Sequence, residues 1–170
     1  DRAIKLDPQN VQAYRGRARI YEDLGYYNPD QYKWAIYDYD TAIRFEPEDA
    51  ETYKERGLVY LVLARAIGRA VGVEHTRLTQ LYGDETYAYE QAIKDFEEVI
   101  RIDPQDAEAY TRKGQLHGEL GNYEQAMKDY DEAIRVDPQD AEAYSKRGIV
   151  HLQVLDQYEE AIVDLTHYIR

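Results

Sequence analysis

Two histidines, His117 and His151, stand 34 residues apart, inside stretches that resemble each other at the same interval. Imidazoles at a fixed period can share a metal ion only if further donors converge on them. His75 and His167 fall off that interval and no third ligand is evident, so core or interface histidines are expected and no metal. The sequence has no Cys, which removes thiolate nucleophiles, disulfides and Cys-rich zinc sites together. It also contains no G-x-S-x-G elbow, H-E-x-x-H, G-x-G-x-x-G or Gly-Lys-Ser/Thr phosphate loop. With no nucleophile–base pair and no metal constellation, neither a catalytic residue nor a cofactor is expected.

Cations and apolar residues at recurring positions are the better candidates. Arg15, Arg19, Lys54, Arg112 and Lys146 share a helical phase with Leu58, Leu61, Ile149 and Leu152, and with the polar Thr111, Gln115 and Ser145. Such a face would hold an extended or helical peptide, with apolar anchors and a carboxylate near Arg15, Arg19 or Lys54. The competing reading is that the cations pair with Glu and Asp one turn away. The whole chain carries 34 acidic against 21 basic side chains, a net charge of −13. An acidic surface repels phosphate backbones and anionic lipid, so no nucleic-acid partner is expected. The apolar run Leu58–Ala64 stops at Arg65, far short of the ~20 residues needed to span a bilayer, so no membrane insertion is expected either.

These residues must be positioned by repeating elements. The phrase DPQDAEAY occurs at Asp103–Tyr110 and again at Asp137–Tyr144, 34 residues on, with relatives at Asp7–Tyr14 and Glu46–Tyr53. A second phrase follows each first one, at Trp34–Tyr39, Gln91–Phe96, Gln125–Tyr130 and Glu160–Leu165. Apolar or small residues at Tyr110, Gly114, His117 and Leu120, then Tyr123, Ala126, Met127, Tyr130, Ala133 and Ile134, give three-and-four spacing on two successive helices. Asn10, Asp49, Asp106 and Asp140 stand where N-caps of the first helices belong. Gly25 and Gly121 stand where a left-handed residue would turn the chain back. Ala18, Gly57, Gly114 and Gly148 face Ala35, Ala92, Ala126 and Ala161 in the slots where two helices approach closely. Tyr supplies 18 of the aromatic residues, which suits thin, half-exposed cores.

Tyr110, Gly114, Leu120-Gly121, Tyr123, Ala126, Tyr130, Ala133 and Pro138 resemble the tetratricopeptide repeat (TPR) pattern almost slot for slot. The resemblance implies an all-α fold, a right-handed α-solenoid of antiparallel helix pairs, with first helices lining a concave groove. It also implies a non-enzymatic scaffold whose partner is a protein or peptide. Chaperone-binding members resemble one another in a two-carboxylate clamp of Lys and Asn residues. Here Arg15 and Arg19 are followed by Glu55 where Asn is required, and a register one unit later also fails, so chaperone tails are disfavoured.

The repeat divides the chain into 1–10, the end of a truncated unit, then 11–49 with a 5-residue insertion, 50–106 with a 23-residue insertion near 65–88, 107–140 and a truncated 141–170. The last unit has one extra residue between Val154 and Tyr158, and carries Tyr168 where others have Ala42, Val99 and Ala133. With no Met at its start, no signal segment and no polar capping helix, the sequence reads as a piece of a longer array. Its compartment is therefore open, the cytoplasm being the weakly favoured reading. Alternatives are self-association through the ends and a regulatory role toward an enzyme in flanking sequence. The insertion reads as a lengthened helical hairpin bending between Gly72 and Gly83. Ile67, Val71, Leu78 and Leu81 either pack within it or form a second interface.

Overall fold

The computed structural model describes residues 2–154 and 156–169, the side chains of Tyr168 and Ile169 excepted, so the slot substitution at Tyr168 lies outside the described residues. Ten α-helices and no strand occur among them. The chain divides into two compact units, 1–98 and 99–170.

In the first unit a short α1 (Arg2–Leu6) precedes α2 (Val11–Gly25), which pairs with α3 (Tyr32–Phe45). Helix α3 packs in turn on α4 (Ala50–Arg69). The insertion is α5 (Gly72–Tyr82), and α6 (Glu85–Ile102) follows it and crosses the boundary between units. In the second unit α7 (Ala107–Glu119) pairs with α8 (Tyr123–Val136), and α9 (Ala141–Gln153) packs on α8 and pairs with α10 (Tyr158–Ile169). Ala18, Ala35, Ala126 and Ala161 are buried in these contacts.

The caps divide in two. Asn10, Asp106 and Asp140 accept the backbone N–H of Ala13, Ala109 and Ala143 at 2.9–3.0 Å, as N-caps should. Asp49 occupies the same place without a side-chain cap bond; its Oδ2 accepts instead from the Thr52 hydroxyl at 2.5 Å and from Arg15 at 3.2 Å. Gly25 also departs from expectation. It closes α2 in helical conformation, and positive φ occurs at only three described glycines, Gly72, Gly83 and Gly121. The glycine is required because the Tyr32 ring lies where a side chain would begin, 2.4 Å from an ideal Cβ. In the turn before α10, Asp156 takes the left-handed conformation (φ 53°), a role Asp tolerates better than most residues.

The insertion is a third helix, which corrects the expected two-helix hairpin. The chain breaks at Ala70–Val71 as well as at Gly83–Asp84, with Gly72 at φ 60° and Gly83 at φ 83° making the turns. Ile67 and Leu78 are buried, whereas Val71 and Leu81 are exposed. Helix α5 lies on the turn between α2 and α3, where Asn28 caps a 3-10 turn at Pro29–Gln31. The Tyr82 hydroxyl donates to the Pro29 carbonyl at 2.7 Å and accepts the Lys33 backbone N–H at 3.3 Å. Arg77 adds an ion pair to Asp30. The two departures from the 34-residue period, in 11–49 and in 50–106, are thus one structural feature: the long insertion seats on the short one.

Candidate functional site

A recurrent buried ion pair holds each first helix to its second. Arg17 grips Asp38 with two bonds of 2.7 Å, and Arg147 grips Asp164 at 2.9 and 2.6 Å. Arg56 holds Asp95 in the same way, and Lys113 reaches Asp129 at 3.1 Å. The four carboxylates are 1–3% exposed. Sequence reasoning does not single out this set. The signal was present: a basic residue precedes each small slot residue, and an Asp sits inside each second phrase. Arg56 also reaches Asp40 on α3, and Arg147 reaches Asp131 on α8, so each ties its own pair to the preceding second helix. The hydrogen bond to Asp164, opposed by burial, raises the pKa of Arg147. Burial pushes the Asp95 carboxyl up to about 6 against the pull of Arg56.

The periodic histidines join this set. His117 Nδ1 donates to Asp129 at 2.6 Å, while His151 Nδ1 donates to Gln157 at 2.7 Å and its Nε2 lies 3.8 Å from Asp164. No group of three metal-ligating side chains occurs among the described residues.

Of the first-helix candidates in the first unit, Arg15 is 8% exposed, with Nε on Glu55 at 3.0 Å and Nη1 on Asp49 at 3.2 Å. Burial opposes its charge, but the hydrogen bond and the attraction of Glu55 prevail and raise its pKa. Arg19 pairs with the other oxygen of Glu55. One internal carboxylate thus stands where an incoming acidic group was expected, and it reaches these two cations from another helix, 40 and 36 residues along the chain, not from one turn away. Leu61 is buried at 4%, while Lys54 and Leu58 are half-buried.

The second unit is arranged differently. Thr111 is buried and donates to Asp140, the cap of α9, at 2.7 Å, and Gln115 is buried too. Arg112 bonds Glu142 at 2.9 Å and Glu108 at 3.4 Å, while its Nε is buried with no partner among the described residues. Ser145, Ile149 and Leu152 are spaced four and three apart along α9, one stripe, and Ile149 and Leu152 are each 40% exposed. Lys146 beside them has no ion pair among the described residues. Helices α7 and α9 touch, and Arg112 reaches α9 at Glu142, in its first turn.

Such antiparallel helix pairs are those of the α-solenoid class. Residues 88–121 and 114–154 match the family model described as TPR repeat. The protein therefore carries tetratricopeptide repeats over 88–154, and along its whole length it has the fold of solved tetratricopeptide-repeat proteins. A crystal structure of MamA is similar at TM-score 0.75 and 19% identity, over 99% of this chain and 81% of that one. TTC0263, a thermophilic TPR protein in Thermus thermophilus, is similar at TM-score 0.67 and 23% identity, over 99% and 77%. A monomeric mutant of IFIT1 solved with Gppp-AAAA is similar at 0.73 and 17%, over 94% of this chain and 34% of that one. No match was found among curated proteins. Tetratricopeptide repeats are in general non-enzymatic protein-interaction scaffolds. No helix among the described residues is long and apolar enough to cross a membrane.

Proposed function

We propose that the α7–α9 face of the second unit binds a peptide of a partner protein, with Ile149 and Leu152 as apolar anchors and Lys146 receiving a carboxylate. The observation that carries this reading is the stripe on α9, where two aliphatic side chains are each 40% exposed beside an ammonium without an ion pair. Burial of apolar surface supplies the affinity, and the cation sets register and encounter rate. Arg112 lends its charge at the edge, already shared between Glu108 and Glu142. The first-unit cations Arg15 and Arg19 contribute little, because Glu55 and Asp49 already occupy them. Selection of random displayed dodecapeptides on the whole chain tests the reading. Enriched peptides should pair an acidic with an aliphatic or aromatic residue, and Ile149→Glu with Lys146→Glu should abolish their binding at unchanged helix content. Retained binding by that double variant would reject the site.

A second reading, self-association, is favoured by Ile162 and Val163 on α10, exposed at 66% and 58%. Light scattering across a concentration series decides it. A mass that stays at 19.9 kDa removes self-association, and a rise that Ile162→Glu suppresses supports it.

A further inference from the structure

A cavity of about 410 Å³ opens in the first unit between α3, α4, α5 and α6. It is within the range of ligand-accepting sites and exists only because the insertion is there, since α5 supplies Leu81 and Tyr82. We propose that this cavity is a second peptide site, taking a partner segment that presents an aromatic side chain beside a carboxylate.

The walls set both halves of that ligand. Tyr60, Tyr82 and Tyr87 line the cavity together with Ile36 and Leu81, a surface suited to an aromatic ring in offset or edge contact. The Tyr82 hydroxyl is committed to Pro29 and the Lys33 backbone, whereas those of Tyr60 and Tyr87 have no hydrogen-bond partner among the described residues. Burial holds the Tyr60 phenol up to about 12, so it is a donor at neutral pH.

Lys33 is the one charged residue in the lining. Its ammonium lies over the Trp34 ring, 5.1 Å from the centroid, and has no ion pair among the described residues. A lining with a cation and no carboxylate is unusual in a chain with 34 acidic side chains, and it selects an anionic group. Orientation follows from the neighbouring cavity, which shares Tyr60 and is lined by Asp40, Asp95, Glu97 and Glu98 against Arg56 and Lys94. The ligand carboxylate is repelled from that side and goes to Lys33, leaving the ring between Tyr60 and Tyr87.

Leu81 and Tyr87 are 47% and 48% exposed, so one side of the cavity faces water. A free small molecule would remain partly uncovered there, whereas bound small molecules usually bury ~70–90% of their surface. A side chain entering from a continuous segment fits better, its backbone covering the opening.

The test is a titration of the whole chain with acetyl-Gly-Glu-Phe-Gly-amide, followed by NMR of the tyrosine ring protons. The Glu-Phe peptide should bind roughly fivefold tighter than its Lys-Phe counterpart, the size of one exposed charge contact. Lys33→Glu should reverse that order, and Tyr87→Ala should weaken binding roughly tenfold. Tyr60→Phe, which keeps the ring, should weaken it less. Followed at the Tyr60, Tyr82 and Tyr87 rings alone, the titration should be the same in Ile149→Glu, which separates this site from any binding of the same peptide at the α7–α9 face. Tighter binding of the Lys-Phe peptide, no saturable shift up to ~10 mM, or equal binding of 3-phenylpropionate would each overturn the proposal. The last of these would make the occupant a free aromatic acid.

Discussion

The ion pair between Arg17 and Asp38 should be among the strongest polar couplings in the first unit, and its size follows from burial. Asp38 is 1% exposed and the Arg17 side chain 27%, and two bonds of 2.7 Å join them. Breaking a fully buried pair from one side costs about 3–5 kcal/mol, because the other charge is stranded. Asp38→Asn strands the partner that water can still reach, so about 2–3 kcal/mol is expected. Arg17→Met strands a carboxylate out of contact with water, for about 3–4 kcal/mol. The double variant should lose well under the sum, giving a coupling of about 2 kcal/mol or more in urea denaturation followed by circular dichroism. The comparison pair is Arg135 and Glu132, with side chains 60% and 47% exposed, which should show no measurable coupling. Salt should leave the first coupling intact, since buried charges are weakly screened. A coupling no larger than that of the exposed pair would refute the claim that these Asp residues fasten the helix pairs.

Three further outcomes follow from the same structure. Gly25→Ala forces a Cβ to 2.4 Å from the Tyr32 ring and should lower stability by about 1–3 kcal/mol in the urea midpoint, while Gly16→Ala, with nothing within 4 Å, should be neutral or stabilising. Tyr82→Phe removes the hydroxyl that bridges Pro29 and Lys33, and should speed amide exchange across α5 without affecting α7 to α10. Burial, with help from Glu55 and Asp23 and against the Tyr39 hydrogen bond, raises the Glu22 carboxyl above its ordinary 4.5. The folded state then holds that proton more tightly than the unfolded chain, and Glu22 lowers stability as pH rises through its folded pKa. Glu22→Gln should therefore be more stable than the parent at pH 7, with the difference fading toward pH 4, as read from urea midpoints.

The elements were legible because their marks are local. DPQDAEAY carries its own cap, and Asp106 and Asp140 take up that role; Gly121 turns left-handed as its place required. Phase along an isolated helix was a weaker guide to the site. It placed Arg15, Leu61, Thr111 and Gln115 on an open face, yet all four are 1–9% exposed, closed over by residues as much as 40 positions away. Glu55 shows the reason. It was visible as a misfit to a known clamp, but only in three dimensions does it lie between Arg15 and Arg19. The second break in the insertion was hidden as well. Ala70 and Val71 continue an apolar spacing, and nothing in that spacing says that Tyr82 will find Pro29.

One slot explains why the two units offer different faces. Gly16, Glu55, Arg112 and Lys146 are equivalent positions, each two residues after the Tyr that follows a cap. Glu55 brings to α4 an acid that, together with Asp49, balances the two arginines of α2. Lys146 brings to α9 a cation where α7 already has Arg112, and the acids near it, Glu108 and Glu142, are occupied by Arg112. The repeat holds the scaffold constant through its buried Asp residues. The charge in this slot differs between the units: Glu55 closes onto Arg15 and Arg19, whereas Lys146 has no ion pair among the described residues. In a chain of net charge −13, a cation with no ion pair among the described residues, as Lys33 and Lys146 are, is where an acidic partner gains most.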